Sequence, residues 1–293
     1  MFKSGFVSLI GRANVGKSTL LNQLINKHVA IVSDKPQTTR NKIHGILTTD
    51  TYQIVFIDTP GFHRAFTKLG AFMNEESEEA TKDVDIILYL IDGKKYGRVD
   101  EEFLLKLKGN KAKVFLLINK IDQLNPQEVY KIIVDHKDLY DFTEIVPLSA
   151  LKNRNVDLLK NLILKYLEEG PMYYPKEDLT DHDNDFLVQE LIREKILHYT
   201  EKEVPHQSAV YVEKVRKNGQ KGLEIQAVIV VERASQKGIV IGKGGSKLKE
   251  IGTKARYDIE KLLNCFINLK IFVKVEENWR DKVSLLKEYG YKQ

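Results

Sequence analysis

Two patterns of apolar and polar residues alternate along the first 170 residues of the chain. Continuous apolar runs at residues 7–10, 86–91 and 114–118 are too short for helices and predict buried strands. Segments with apolar residues at helical spacing lie between the runs, as at residues 19–25 and 156–168. Since strands that alternate with helices build parallel sheets, the pattern predicts an α/β fold with a doubly wound sheet. Further strands are predicted at residues 43–47, 52–57 and 145–148, and a further helix at residues 99–108.

The pattern changes after residues 170–175, where two prolines and a glycine predict a linker. We therefore divide the chain into a first domain at residues 1–170, a linker at 171–180 and a second domain at 181–293. The second domain reads as helix, strand, strand, helix, helix, strand and helix. The predicted elements are a helix at 186–199, strands at 209–214 and 223–231 joined by a hairpin turn at 218–222, a helix that stops at Gly242, a helix that runs to about 263, a strand at 267–275 and a helix at 279–289.

Composition narrows the class of protein. A chain of 293 residues with 42% hydrophobic and 30% charged residues can build two folded cores. No apolar run approaches the ~20 residues of a membrane span, and the N-terminus lacks the apolar region of a signal peptide, so we expect a cytoplasmic protein. Cys265 is the only cysteine, which excludes an internal disulfide and a cysteine-based zinc site.

Positive charge is concentrated in the last third of the chain. Residues 201–293 contain 19 Lys and Arg against 12 Asp and Glu, whereas residues 1–200 contain 27 against 29. This balance suits a polyanionic partner, although a solvated basic surface would have the same composition.

Residues 11–18 carry the most specific chemical pattern, Gly-Arg-Ala-Asn-Val-Gly-Lys-Ser between a strand and a helix. Backbone N–H groups of such a loop point at a phosphate chain, and its glycines permit close approach. Lys17 would reach the terminal phosphates, and Ser18 would give an oxygen ligand to Mg²⁺. The alternative is a glycine turn with a chance Lys-Ser pair. The predicted nucleotide-binding residues of this loop are Gly11, Asn14, Val15, Gly16, Lys17, Ser18 and Thr19.

Three later motifs, each after an apolar run, complete a predicted guanine-nucleotide site. Asp58 ends a strand, where its carboxylate can hold Mg²⁺. Thr39 lies in a polar loop, and its hydroxyl can complete the metal shell. The alternative is that this loop is an ordinary surface loop. Asp122 can accept from both N1–H and the 2-amino group of guanine, a donor pair that adenine lacks. The predicted residues are Asp58, Thr59, Pro60, Gly61, Asn119, Lys120, Asp122, Ser149, Ala150 and Leu151, with Ser18, Thr39 and Asp58 as Mg²⁺ ligands.

The four motifs in this order resemble a Ras-like GTPase. The resemblance implies GTP and GDP as ligands with Mg²⁺, and Lys17, Asn14, Thr39 and Gly61 as catalytic residues. Phe62 stands where Ras-type enzymes carry a water-positioning glutamine, and its ring cannot hydrogen-bond a water. In potassium-dependent relatives an asparagine at the position of Asn14 helps to hold K⁺; a loop-capping side chain is the alternative. We expect slow intrinsic hydrolysis that K⁺ accelerates.

A Gly-Lys-Gly-Gly segment at residues 242–245 lies between two predicted helices of the second domain. Such a turn lets a sugar–phosphate backbone approach, and the next helix begins beside three lysines. The order of elements resembles a type II KH domain, an α+β fold that binds single-stranded RNA. A second phosphate loop is the alternative, but no metal-binding aspartate or base-reading loop follows. The predicted RNA-binding residues are Arg233, Ile241, Gly242, Lys243, Gly244, Gly245, Lys247 and Lys249.

A Ras-like GTPase domain followed by one KH domain resembles the Era family, of the TrmE–Era–EngA type. The resemblance covers essentially the whole chain and departs from it at Ala13, where relatives often carry proline. It implies a monomeric, GTP-switched assembly factor of the 30S ribosomal subunit that binds 16S rRNA near its 3′ end and associates peripherally with the inner membrane. Two other classes stay open: a signalling GTPase whose second domain binds protein, and a GTP-driven RNA-modifying enzyme, for which residues 180–293 show no candidate catalytic cluster.

Overall fold

A computed structural model describes residues 1–218 and 222–291 of the chain. The chain is divided into two compact units. The hairpin turn predicted at 218–222 includes residues 219–221, which lie outside the described residues. In the described ranges, no helix is both long and apolar enough to cross a membrane. The first unit consists of Met1–Val32, Thr39–Arg64 and Met73–Asp181, and the second of Ser33–Thr38, Ala65–Phe72 and His182–Gln293.

Six strands form the sheet of the first unit: β1 (Lys3–Ile10), β2 (Ile43–Thr48), β3 (Tyr52–Asp58), β4 (Ile86–Asp92), β5 (Lys113–Asn119) and β6 (Glu144–Pro147). Their order is β2-β3-β1-β4-β5-β6, and all neighbours are parallel except β2 and β3. Every residue of β4 is buried, as expected of a strand covered on both faces. The doubly wound α/β sheet predicted from the sequence is confirmed. The helices of this part of the chain are α1 (Lys17–Ile25), α2 (Lys68–Glu79), α3 (Arg98–Lys106), α4 (Pro126–His136) and α5 (Val156–Tyr166).

Helix α4 is missing from the sequence prediction, although its start carries a clear signal. The side chain of Asn125 accepts from the backbone N–H of Glu128 at 2.9 Å, and the Glu128 carboxylate accepts from the backbone N–H of Asn125 at 2.8 Å. Pro126 fills the first helical position. Val129, Ile132 and Ile133 of this helix pack against the core at helical spacing, so its apolar pattern is a second signal that the prediction overlooks.

Residues 171–180, predicted as a linker, lie within the first unit. Gln53 on β3 is fully buried, and its side-chain oxygen accepts from the backbone N–H groups of Tyr173 and Tyr174 at 2.7 and 3.0 Å. The backbone N–H of Ile46 on β2 also donates to the carbonyl of Leu179, at 2.9 Å. These bonds hold the segment along the β2–β3 edge of the sheet, and the first unit ends at Asp181.

The second unit contains α6 (Asn184–Tyr199), β7 (Ala209–Asn218), β8 (Gly222–Val231), α7 (Ala234–Ile241), α8 (Ser246–Leu263), β9 (Phe266–Val275) and α9 (Val283–Glu288). Its sheet has the order β7-β8-β9, with β7 antiparallel and β9 parallel to the central strand. Alternate residues of β8, such as Ile225 and Ile229, form one apolar core with Ile196 of α6 and Ile259 of α8. The helices therefore cover one face of the sheet, and the predicted α+β fold is confirmed.

Two short segments from the N-terminal half of the chain belong to the second unit. Arg193 on α6 is buried and pairs through two nitrogens with Glu190, each at 2.7 Å. The same guanidinium donates to the backbone carbonyl of Thr38. The backbone N–H of Lys68 donates to Asp281 Oδ1 at 3.0 Å.

The prediction of one continuous helix at residues 279–289 is wrong. Trp279–Asp281 forms a single 3₁₀ turn, Lys282 is extended, and α9 starts at Val283. The indole of Trp279 is fully buried, and its Nε1 donates to the carbonyl of Gln207 at 3.0 Å. Tertiary anchoring of this ring accounts for the break, which helical periodicity does not reveal.

Candidate functional site

The loop at residues 11–18 closes around the side chain of Asn119, which ends β5. Asn119 Nδ2 donates to the carbonyl of Val15 at 2.7 Å, and the asparagine is buried. Gly16 has φ 103°, and a Cβ at this position would lie 2.3 Å from Asn119 Nδ2. Glycine is required there both by the backbone angle and by the contact. Asn119 therefore ties the loop after β5 to the phosphate loop at residues 11–18.

Lys17 begins α1 and is buried, yet its immediate partners are neutral. Its Nζ donates to the carbonyls of Gly11 and Arg12 at 3.0 and 2.9 Å. Burial lowers the pKa of Lys17 to about 8, and the charge of Asp58 opposes this shift only in part. An anion bound beside the loop would therefore stabilise the charged ammonium.

The three predicted Mg²⁺ ligands lie together. Ser18 Oγ donates to Asp58 Oδ2 at 2.6 Å, Thr39 Oγ1 donates to the same oxygen at 3.2 Å, and the two hydroxyl oxygens are 2.9 Å apart. Burial raises the pKa of the Asp58 carboxyl, although Lys17 and both hydroxyls favour its charged form. Asp58 Oδ1 is buried and has no hydrogen-bond partner among the described residues. An all-oxygen set with one unsatisfied carboxylate oxygen fits Mg²⁺.

The residues after Asp58 fix a loop against the phosphate loop. The hydroxyl of Thr59 donates to the carbonyl of Leu9 on β1 at 2.8 Å, and the carbonyl of Pro60 accepts from Ser77 of α2 at 2.7 Å. A Cβ on Gly61 would lie 2.3 Å from the backbone nitrogen of Ala13, so the two loops are in direct backbone contact.

Phe62 is a core residue. Its backbone N–H donates to the carbonyl of Gly11 at 3.4 Å, while its ring is only 9% exposed. The ring stacks on Phe103 of α3 with 3.5 Å between centroids, within the core cluster that also contains Tyr89. The residue at the usual glutamine position thus links its loop to α3 and leaves the positioning of water to other groups.

Asp100 of α3 anchors the phosphate loop, and the sequence motifs do not reveal it. Its carboxylate is buried and bonds the Arg12 guanidinium at 2.9 Å from Oδ1 and 2.8 Å from Oδ2. The second oxygen also accepts from the backbone N–H of Gly97 at 3.0 Å, and the Asp100 carbonyl accepts from the Tyr89 hydroxyl at 2.7 Å. Burial raises the pKa of Asp100, and the Gly97 and Arg12 bonds oppose the shift. A recognisable signal is Gly97 followed three residues later by an acid at a helix start.

The predicted base-reading residues form one connected group. Asn119 Oδ1 accepts from the backbone N–H groups of Lys120 and Ala150 at 2.8 and 3.0 Å. Ser149 Oγ donates to Asp122 Oδ1 at 2.5 Å, which leaves the other oxygen of this partly exposed carboxylate for a ligand. Leu151 follows Ala150 and is 67% exposed.

Lys120 is held in place by a residue that the motifs miss. Its Nζ lies 2.8 Å from Asp92 Oδ2 and donates to the carbonyl of Asn14 at 2.7 Å. Although burial opposes ionisation of Asp92, the hydrogen bond and charge of Lys120 hold the pKa of this carboxyl below its usual value. Asp92 ends β4 and pairs in register with Asn119, so its position follows from the sheet.

The predicted RNA-binding turn is open to solvent. Gly242, Gly244 and Gly245 have φ values of 71°, 59° and 79°, and a Cβ on either of the last two would meet no described atom within 4 Å. The turn contains Lys243 and leads into α8, whose first turn carries Lys247 and Lys249. Lys243 and Lys249 are exposed, Lys247 and Ile241 are partly buried, and Arg233 is exposed at the start of α7.

A groove between α8 and β9 adjoins this turn, with a volume of about 430 Å³. One wall is formed by α8, through residues such as Thr253 and Arg256 that lie one and two helical turns beyond Lys249. The other wall is formed by alternate residues of β9, Leu269 and Ile271. Helical spacing after Lys249 and strand alternation after Ile267 could have identified them. The residues that line it are Gly245, Leu248, Lys249, Gly252, Thr253, Arg256, Leu269 and Ile271.

Comparison with known proteins gives matches to both units. A family model described as a 50S ribosome-binding GTPase matches residues 6–120, and a KH domain model matches residues 203–280. Era of Aquifex aeolicus, solved as a tyrosine-to-alanine variant with GDP and AlF₄⁻, is 38% identical with a TM-score of 0.96 and 100% coverage of both chains. Era in complex with MgGDPNP and nucleotides 1506–1542 of 16S ribosomal RNA is 37% identical with a TM-score of 0.95, again covering 100% of both chains.

The lowered pKa of Lys17 predicts a pH-dependent affinity for nucleotide. Phosphates favour the charged ammonium, so binding raises the pKa of Lys17 from about 8 and takes up a proton. Affinity for GDP should therefore fall as the pH rises above 8, by at most about tenfold per pH unit. Calorimetric titration from about pH 7 to about pH 9, in buffers of different ionisation enthalpy, measures both affinity and proton uptake. A flat wild-type profile would contradict the prediction, and Lys17→Met should show no proton uptake from this group.

Loss of the Asp100 carboxylate should loosen the phosphate loop. We expect Asp100→Ala to lower the free energy of unfolding by about 1–3 kcal/mol, because it removes the Arg12 ion pair and a helix-capping bond. The affinity for GDP should fall as well, since Arg12 lies within the loop. Urea denaturation and GDP titration measure the two effects. Glu101→Ala, at the exposed neighbouring position of α3, is the matched control; equal behaviour of the two variants would argue against an anchoring role.

Proposed function

The chain belongs to the Era family of GTPases, and we propose that it is a nucleotide-switched assembly factor of the small (30S) ribosomal subunit. It hydrolyses GTP in the first unit and binds 16S rRNA near its 3′ end through the KH fold of the second. The observation that carries this proposal is the presence in one chain of a phosphate and Mg²⁺ site and of an open Gly-x-x-Gly turn beside a groove. A 37% identical relative, bound to nucleotides 1506–1542 of 16S rRNA, supports the choice of RNA.

Each group of the first unit takes a distinct part in binding GTP. The backbone of residues 11–18 surrounds the phosphates, and Lys17 exchanges two carbonyl acceptors for phosphate oxygens. Ser18, Thr39 and Asp58 hold Mg²⁺, whose charge, when bound, offsets that of the β- and γ-phosphates. Asp122 selects guanine, and the stem of Lys120, fixed at its tip by Asp92, lies along the base.

Hydrolysis proceeds without a polar side chain at position 62. The Phe62 ring is buried against Phe103, so the backbone N–H of Gly61 and the hydroxyl of Thr39 are the groups available near the γ-phosphate. We place K⁺ beside Asn14, where its charge would stabilise the transition state in the way that an arginine finger does in other GTPases. The intrinsic rate is then slow and sensitive to the monovalent cation.

RNA binding in the second unit is favoured by GTP. Thr39, a proposed Mg²⁺ ligand, directly follows Ser33–Thr38, a segment counted with the second unit and bonded there to Arg193. Ordering of Thr39 by Mg²⁺ and the γ-phosphate would therefore also constrain a segment that packs in the RNA-binding unit. Slow hydrolysis sets the lifetime of this state.

The proposal also includes where the protein acts. We place it in the cytoplasm as a monomer, with peripheral association at the inner membrane face, where an excess of basic residues in the last third would favour anionic lipids. Sedimentation velocity and fractionation of cells check these statements; a stable dimer or an entirely soluble pool would refute the respective part.

Potassium should stimulate hydrolysis through Asn14. We expect GTP hydrolysis to be about tenfold or more faster in KCl than in NaCl at equal ionic strength, because the cation offsets developing negative charge. Asn14→Ala should remove this difference, measured by phosphate release. Asn153→Ala, another loop asparagine with positive φ, is the control and should keep it. Equal wild-type rates in the two salts would exclude the K⁺ site.

The Gly-x-x-Gly turn should carry the affinity for RNA. Gly244→Asp places a negative charge where a phosphate would approach, so binding of a single-stranded RNA from the 16S 3′ region should weaken by about tenfold or more, while GTP hydrolysis stays unchanged. Fluorescence anisotropy at several salt concentrations measures the affinity and its salt slope. Phe62→Leu, a change in the first unit, should leave RNA binding intact.

Crosslinking of the GTP-bound protein to RNA in cells tests the ribosomal assignment. The recovered fragments should map mainly to the 3′ region of 16S rRNA. Mainly non-ribosomal RNA would overturn that assignment, and recovery of protein partners without RNA would favour the signalling class.

A further inference from the structure

The sheet of the second unit has two different faces. Alternate residues of β8, such as Ile225, Ala227 and Ile229, are fully buried under the helices. On the opposite face only the C-terminal half of β8 is covered, where Val228 and Val230 are buried and aromatic residues from the end of the chain pack. The N-terminal half of this opposite face is open, and we call it the open half-face. Strand register and alternation place Lys214, Arg216, Glu224, Gln226, Asn268, Lys270 and Phe272 on it.

An aromatic ring stands at the border of the open half-face. Phe272 on β9 is 53% exposed, although phenylalanine is normally a core residue. It pairs in register with Val228, at the border between the covered and the open part of the sheet. Lys270 and Lys274 lie two residues away on either side of it along the same face of the strand. A solvent-facing ring between two lysines is the pairing by which single-stranded nucleic acid is bound: a stacked base with flanking phosphates.

Positive charge predominates around this ring. Lys214 and Arg216 come from β7 at one edge of the sheet, and Lys270 comes from β9 at the other edge. Cations therefore flank the half-face on both edges. Glu224 is the acidic residue between them, and it pairs with Lys270 at 2.9 Å. The hydrogen bond from Lys270 lowers the pKa of Glu224, which keeps this carboxylate ionised and engages one of the three cations. The charge of Arg216 also acts on Glu224, and Lys274 pairs with Glu276 at 3.3 Å. Lys214 and Arg216 are exposed and form no direct ion pair in residues 1–218 and 222–291.

The half-face is continuous with the groove through one strand. Leu269 and Ile271 of β9 line the groove, and the intervening Lys270 and the next residue, Phe272, point to the opposite side. Strand β9 is an edge strand, because its only neighbour in the described sheet is β8. A chain that leaves the groove can pass around this edge to Phe272, because neighbouring residues of one strand project to opposite faces of the sheet.

We propose that the open half-face is a second RNA subsite, on which single-stranded RNA leaving the groove stacks a base on Phe272 and places phosphates near Lys214 and Arg216. The inference rests on the proposed RNA binding of the second unit and extends its footprint beyond the nucleotides that the Gly-x-x-Gly turn and groove hold. Charge complementarity and the exposed aromatic ring favour a nucleic acid over a protein as the occupant.

The decisive experiment compares two RNAs with the full-length protein bound to a GTP analogue. One is a short oligonucleotide of about six nucleotides, enough for the turn and groove, and the other extends the same sequence to about fourteen. Phe272→Ala should weaken binding of the long RNA by roughly fivefold or more and leave the short RNA unchanged. Phe272→Tyr keeps a stacking ring and should bind like the wild type.

A charge variant tests the same surface independently. Lys214→Ala with Arg216→Ala should weaken the long RNA only and lower the slope of its salt dependence by about two. Lys108→Ala with Lys111→Ala removes two exposed lysines from the first unit and is the matched control, with no expected effect. Ultraviolet crosslinking of the long RNA followed by mass spectrometry should give an adduct on the peptide that contains Phe272.

Each outcome decides the question. Equal binding of the long RNA by wild type and Phe272→Ala, without an adduct, would overturn the subsite. Equal weakening of both RNAs would assign Phe272 to the integrity of the groove and would overturn it too. Failure of the wild type to bind either RNA would instead refute the proposed function, and capture of the half-face by a protein in the absence of RNA would replace RNA as its occupant.

Discussion

The amide side chain of Asn119 is the contact on which the nucleotide site depends. One small group bonds the carbonyl of Val15 and the backbone N–H groups of Lys120 and Ala150, and so joins three loops that are far apart in sequence. Its position leaves no room for a Cβ on Gly16. Because the loops emerge from the same edge of a parallel sheet, a few such bonds are enough to fix the phosphate and base regions relative to each other.

Around this fixed frame the charged groups are left incompletely satisfied. Lys17 is buried against neutral carbonyls, and Asp58 keeps one buried oxygen without a partner among the described residues. A preorganised cation and anion that lack full solvation cost stability in the free protein and gain it back when phosphate and Mg²⁺ arrive. Burial lowers the pKa of Lys17 and raises that of Asp58, so in both groups it favours the neutral form. These directions are expected of buried charged groups whose ligand is not bound.

Sequence reasoning succeeded where chemistry is local and missed what folding brings together. The residue types and spacing around Lys17 and Asp122 are set by phosphate and guanine, so both could be read without a structure. Asp100 lies 88 residues from Arg12, and the sequence around the two residues does not indicate that they form an ion pair. Gln53 likewise shows its role only once residues 173 and 174 are seen along β3. The break at Lys282 follows from tertiary anchoring, which overrides apolar periodicity. Helix α4 differs, because both its capping residues and its apolar spacing could be read from the sequence.

The two units use backbone exposure in opposite ways, and this difference follows from their ligands. In the first unit, loops are packed so closely that Gly61 touches the backbone of Ala13, which suits a small ligand whose every phosphate oxygen must be met. In the second, Gly244 projects into open space and β9 offers side chains on both of its faces. A long, flexible polyanion can be held by many weak contacts spread along such a surface, so its affinity does not require an enclosed site. The same physical reasoning explains why the groove and the open half-face together, rather than the turn alone, would set the length of RNA that the protein recognises.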